Sequence, residues 1–114
     1  MTQAVRETQS VAVLAPQQFL QRSIPTLERK IDDAIAGKPA HVDLQLAQVQ
    51  VVDSATLNWI LQVLARLDSM NIRLRMLDPS PVMVDVFLAT RLDSRLTIVS
   101  SAAGGNAAEG ANGR

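Results

Sequence analysis

The residues of this chain best placed to do chemistry lie in Val51-Val52-Asp53-Ser54-Ala55-Thr56-Leu57, where a strand-like pattern gives way to a helical one within two polar residues. In α/β folds, ligands and partners meet the chain where strands end and helices begin. A serine hydroxyl at a helix N-terminus is held at the surface beside unpaired amides and the positive end of the helix dipole. A phosphate there is partly accommodated by the helix and brings about −1.5 to −2 charge to the surface. The same geometry also serves plain capping, in which Asp53 or Ser54 accepts a hydrogen bond from an amide of the first turn.

Other reactive side chains offer less. The single histidine, His41, borders an apolar stretch and reads as an exposed loop or strand-edge residue. Asp32 and Asp33 are neighbours, so on a helix they point about 100° apart and cannot act together on one substrate atom; they read as solvated surface. Arg73 and Arg75 share one face of a strand and read as charge that blunts a sheet edge. The chain has no cysteine, which excludes disulfides, thiolate zinc sites and cysteine nucleophiles. It also shows no Gly-rich phosphate loop, no metal-ligand spacing and no nucleophile beside a histidine. The expectation is a protein that is not an enzyme and has no catalytic residue, cofactor or metal.

Eleven Lys and Arg balance eleven Asp and Glu, so no electrostatic footprint points to direct nucleic-acid binding or to an anionic membrane. With 47% hydrophobic residues in 114, the chain can bury one ordinary core. Its longest apolar runs fall short of a membrane span, and its first thirty residues lack a signal pattern. A cytoplasmic single-domain protein is expected. Residues 1–9 read as a flexible lead, 10–99 as the domain and 100–114, rich in Gly, Ala and Asn, as a disordered tail.

The elements that must position Ser54 follow from periodicity. Residues 10–15 form an apolar, β-branched strand stopped by Pro16. A helix opens with Ser23 as cap and Pro25 in its first turn, and carries Ile24, Leu27, Ile31, Ala34 and Ile35 at helical spacing up to Gly37. A strand over 41–46 alternates Val42, Leu44 and Leu46 against Asp43 and Gln45, weakly continued by Val49 and Val51. The clearest helix covers 55–68, with Leu57, Ile60, Leu61, Leu64 and Leu67 in one stripe. A half-buried strand follows over 72–77. The turn at 78–81 opens a helix whose apolar face is Val82, Val86, Phe87 and Leu92, and a last strand covers 95–99. Met70, Met76 and Met83 read as core filling or helix-end packing. The order β-α-β-α-β-α-β predicts an α/β fold, a small mixed or parallel sheet layered with helices.

Trp59 lies off the leucine stripe of its helix. It is either an interface anchor, in a partner-binding surface formed by Asp53, Ser54, Thr56, Trp59 and Val63, or is covered by a neighbouring helix or the first loop.

Three segments carry a family resemblance. Val51-Val52-Asp53-Ser54-Ala55-Thr56-Leu57 resembles the Asp-Ser-(Ser/Thr/Ala)-Gly-Leu helix start of STAS domains, the fold of bacterial anti-sigma-factor antagonists. Residues 23–31, Ser-Ile-Pro-Thr-Leu-Glu-Arg-Lys-Ile, are similar to the family's first helix. Residues 80–92 resemble its Ser-Pro-x-Val-x-x-x-Phe-x-x-Thr-Gly-Leu helix. Gln17, Thr56 and Arg91 stand where the family pattern has glycine, and the first loop, Gln17-Gln18-Phe19-Leu20, lacks its acidic residue. The resemblance implies a single non-enzymatic STAS domain. It implies phosphorylation at Ser54, beside Asp53, by a partner that is both anti-sigma factor and serine kinase, with the unphosphorylated form binding that partner. It also admits a constitutive STAS subunit of a complex such as an ABC-type phospholipid transporter. The oligomeric state is left open.

Overall fold

A computed structural model describes residues 9–100. The lead and tail expected at 1–9 and 100–114 lie outside the described residues apart from Gln9 and Ser100.

The chain runs β1 (Ser10–Leu14), β2 (Gln18–Phe19), α1 (Ile24–Ala36), β3 (His41–Gln45), β4 (Val51–Val52), α2 (Ser54–Ser69), β5 (Arg73–Leu77), α3 (Pro81–Thr90) and β6 (Thr97–Val99). The main sheet is ordered β1-β3-β5-β6 and every pairing is parallel, which settles the expected "mixed or parallel" sheet as parallel. Each helix carries the chain one strand further in the same direction. Right-handed crossovers therefore layer α1, α2 and α3 on one face.

Register sorts the side chains. Val11, Val42 and Leu74 share one row, and Val13, Leu44, Met76 and Ile98 another on the same face. Of these, Val13, Val42, Leu44, Leu74 and Met76 are buried under the helices with Leu27, Ile31, Ile60, Leu67, Met83 and Phe87. The rows between them, Ser10-His41-Arg73 and Ala12-Asp43-Arg75-Thr97, stand on the opposite face. There Arg75 closes a two-pronged ion pair on the buried Asp43, at 2.6 and 2.9 Å, and reaches Ser10 Oγ at 3.2 Å. Arg75 is held protonated by that hydrogen bond. β6 pairs β5 from Arg75 to Leu77, so Arg75 stands on a sheet face and not the edge that was expected, whereas Arg73 lies beyond the β6 pairing. His41 opens β3, half-buried, with Nδ1 3.5 Å from Ser10 Oγ.

Several boundaries and faces differ from the sequence reading. The weak continuation of the second strand is a separate element: β4 leaves the main sheet and pairs in parallel with β2 as a two-stranded ribbon. β2 falls in residues read as a loop, and its Phe19 is fully buried. Ser23 does not cap α1. Its Oγ instead accepts from the Leu20 N–H at 3.0 Å and lies 2.6 Å from the Leu20 carbonyl, closing a short 3-10 turn over Gln21–Ser23. In α3, Met83 and Phe87 face the core, while Val82 is 37% exposed and Val86 half-buried. That helix is apolar nearly all round, so periodicity could not select its inner face. Met70 ends α2 in solvent, and Asp32 is paired with Arg66.

Candidate functional site

The strand-to-helix junction is built around one carboxylate. Asp53 is the extended N-cap of α2, and its Oδ1 accepts the Thr56 N–H at 3.0 Å. Its Oδ2 accepts the Gln21 N–H at 2.9 Å, from the turn that leads into α1. One side chain therefore fastens the start of α2 to the segment after β2. The amide of Thr56, then that of Gln21, hold the Asp53 carboxyl below the usual carboxylate range.

Ser54 is the first residue of α2 and is exposed. Its hydroxyl makes no hydrogen bond to another described residue. The two readings of the junction thus divide between two residues: capping belongs to Asp53, and the free hydroxyl belongs to Ser54. The ribbon strand before it adds Val51, an apolar side chain 47% exposed.

The other residues assigned to a partner surface are in the core. Thr56 is fully buried, and its hydroxyl lies within donating distance of the Asp53 carbonyl at 2.8 Å and the Phe19 carbonyl at 3.2 Å. Trp59 is 3% exposed and Val63 is 2% exposed. Trp59 stands edge-on to Phe19, ring centroids 6.1 Å apart at 89°. Its Nε1–H donates to Glu28 Oε2 at 2.7 Å. Glu28 Oε1 also accepts from Arg66 at 3.0 Å, and Arg66 is held protonated by Asp32 first and Glu28 second, clamping α1 to α2. The cover for Trp59 is thus the first loop, through Phe19, together with Glu28 of α1.

This correction turns the helix. The buried face is Thr56, Trp59, Ile60, Val63 and Leu67, rotated about 80° from the leucine stripe at 100° per residue. Leu57, Leu61 and Leu64 are only partly buried and flank the core. On a helical wheel Ser54 lies within about 60° of Leu57, Asn58 and Leu61. Its surroundings are half-covered apolar side chains and one exposed amide, Asn58. Sequence reasoning missed this face because it assigned these leucines to the core by hydrophobicity alone.

Among the described residues, no group of three or more His, Asp or Glu side chains is placed to hold a metal ion, and no helix is long and apolar enough to cross a membrane. The arrangement presents an exposed hydroxyl beside a carboxylate held low by backbone amides and a partly apolar helix face.

A family model, the STAS domain, matches residues 3–104, and the chain belongs to that family. No curated protein and no solved structure gives a match.

Proposed function

We propose that this STAS domain is a non-enzymatic regulatory module that docks on a protein partner through the first turns of α2 and is switched by phosphorylation of Ser54. By resemblance, the partner is an anti-sigma factor with serine-kinase activity. The observation that carries the reading is the division of labour at the junction: Asp53 alone caps the helix and ties it to Gln21, leaving the Ser54 hydroxyl exposed and unused.

Charge is the physical event. The helix N-terminus already holds one carboxylate on its amides, so a phosphate on Ser54 finds less of that positive end available. Its roughly −2 charge projects outward beside Asp53. A partner seated on Val51, Leu57 and Leu61 must desolvate that charge or lose contact. The domain itself stays folded, because no described contact depends on the Ser54 hydroxyl.

Incubation with the cognate kinase and ATP, followed by mapping of the label, tests the switch. The label is expected on Ser54, with Ser54→Ala still captured by the partner and Ser54→Asp captured at least about tenfold less. A label elsewhere, or equal capture of Ser54→Asp, overturns it. Equal capture by a transporter ATPase identifies the domain as a constitutive subunit instead.

A further inference from the structure

We infer that Arg22 is the built-in receptor for a phosphate on Ser54: in the modified protein its guanidinium leaves Gln18, binds the phosphate and draws the first loop over Val51 onto α2. This rests on Ser54 as the phosphoacceptor, the reading proposed above, and adds how the domain itself responds to the modification.

Charge at the junction is sparse. From Ala15 to Ser23 the one charged residue is Arg22, and from Leu46 to Ala65 it is Asp53. The two do not pair with each other. Both oxygens of Asp53 are taken by amides, those of Thr56 at 3.0 Å and Gln21 at 2.9 Å. Arg22 is exposed, makes no ion pair with a described residue, and donates to the neutral Gln18 Oε1. A guanidinium meets a phosphate with two parallel bonds and full charge but a carboxamide oxygen with one bond, so an anion brought within reach displaces Gln18.

The turn after β2 sets that reach. The bond from Gln21 to Asp53 joins the residue before Arg22 to the residue before Ser54. By standard bond lengths it holds the Cα atoms of Arg22 and Ser54 within about 15 Å. An extended arginine reaches about 7 Å from its Cα and a phosphoserine about 5 Å, which with a hydrogen bond of about 3 Å spans that limit. The ribbon sets where the guanidinium waits. Gln18 pairs with Val51, and both are exposed, whereas Phe19 is buried and Val52 half-buried. Arg22, held on Gln18, therefore rests on the same outer face as Val51. Neither strand of the ribbon adjoins a residue outside the described ones.

Asp53 closes off the alternative. With its carboxylate already on the Thr56 amide, the helix end offers a phosphate less, and Arg22 is the countercharge left at the junction. One guanidinium offsets about half of the phosphate's charge of roughly −2, and the remainder stays at the surface beside Asp53. Closing the loop also covers Val51, so a partner loses apolar contact as well as meeting charge.

Phosphoserine installed at Ser54 during translation, in the otherwise unaltered full chain, tests the pairing without any kinase. Its second ionisation, near pH 6 for an unperturbed phosphoserine, is read by phosphorus NMR. At low salt it should titrate lower with Arg22 present than in Arg22→Gln, by about 0.5 or more, and the difference should shrink at about 0.5 M salt. Arg22 holds only the exposed Gln18, so Arg22→Gln keeps the fold, with unchanged far-UV circular dichroism as the check. Arg95→Gln removes the same charge from the far end of the sheet, beside Asn71 and Arg73, and should move the titration by no more than about 0.1. The Gln18 side-chain amide resonances should follow the phosphate only when Arg22 is present. Equal titration with and without Arg22, or an Arg95→Gln effect as large as that of Arg22→Gln, overturns the inference. Failure of the kinase to label Ser54 refutes the switch and not this pairing, which the titration decides by itself.

Discussion

Replacing Trp59 by alanine separates a core residue from a docking residue by the size of the effect. Trp59 is 3% exposed, stands edge-on to Phe19 and donates to Glu28. Truncating a buried tryptophan costs about 3–5 kcal/mol through lost transfer energy and the cavity left behind, and the aromatic pair with Phe19 is part of that sum. The unpaired Glu28 adds little. Its side chain is 36% exposed and keeps Arg66 at 3.0 Å, so water takes the vacated position. A domain of this size has about 5–15 kcal/mol in total, and the variant should lose about 4 of it. Urea unfolding followed by far-UV circular dichroism measures the loss, since Trp59 is the chain's one tryptophan and its fluorescence disappears with it. Trp59→Phe keeps the ring against Phe19 but removes the N–H, and should cost about 1–2 kcal/mol. An unfolding free energy for Trp59→Ala within about 0.5 kcal/mol of the wild type would refute the core assignment and return Trp59 to the surface.

Two further outcomes follow from the backbone and the cap. Arg91 ends α3 at φ 63°, ψ 22°, a left-handed conformation that glycine adopts without cost. Arg91→Gly should raise stability by about 0.5–1 kcal/mol, visible as a higher Tm, and a lower Tm would contradict the argument. Asp53 has its carboxyl held low by the Thr56 and Gln21 amides. Its contribution is therefore whole above the ordinary carboxylate range and is lost as pH falls through the lowered value. The stability gap between wild type and Asp53→Asn should shrink from about pH 6 to pH 2; a gap that does not change with pH would show that the ionised form is not what caps the helix.

The order of strands and helices was legible because each long element carries its own period. Val42 and Leu44 alternate with Asp43 and Gln45, and Leu27, Ile31 and Ala34 recur at helical spacing with Gly37 as the stop. The ribbon was not legible. β2 and β4 have two residues each, too few to show a period, and their pairing joins segments more than thirty residues apart. Missing β2 hid Phe19, and without Phe19 nothing in the sequence says what covers Trp59. The leucines of α2 then took the inner face by hydrophobicity alone, which turned the helix and exchanged surface for core. Ser54 and Asp53 were found by a local signal, the abrupt passage from strand to cap. The second bond of Asp53, to the Gln21 amide brought to it by the turn after β2, carries no local signal.

The assignment of the cap to Asp53 also bears on how the proposed switch at Ser54 would leave the fold alone. If Ser54 were the cap, a phosphate on it would remove the helix's own hydrogen bond, and every binding change would come with a loss of stability. Here Asp53 holds both the first turn of α2 and the segment before α1, while Thr56, Trp59 and Val63 bury the helix from the other side. The new charge falls on a residue that neither network uses. Val51 and Leu57, three residues to either side of it in sequence, remain partly open. On the proposed reading, a partner covering those side chains would feel the added charge while the domain's own stability stays nearly constant.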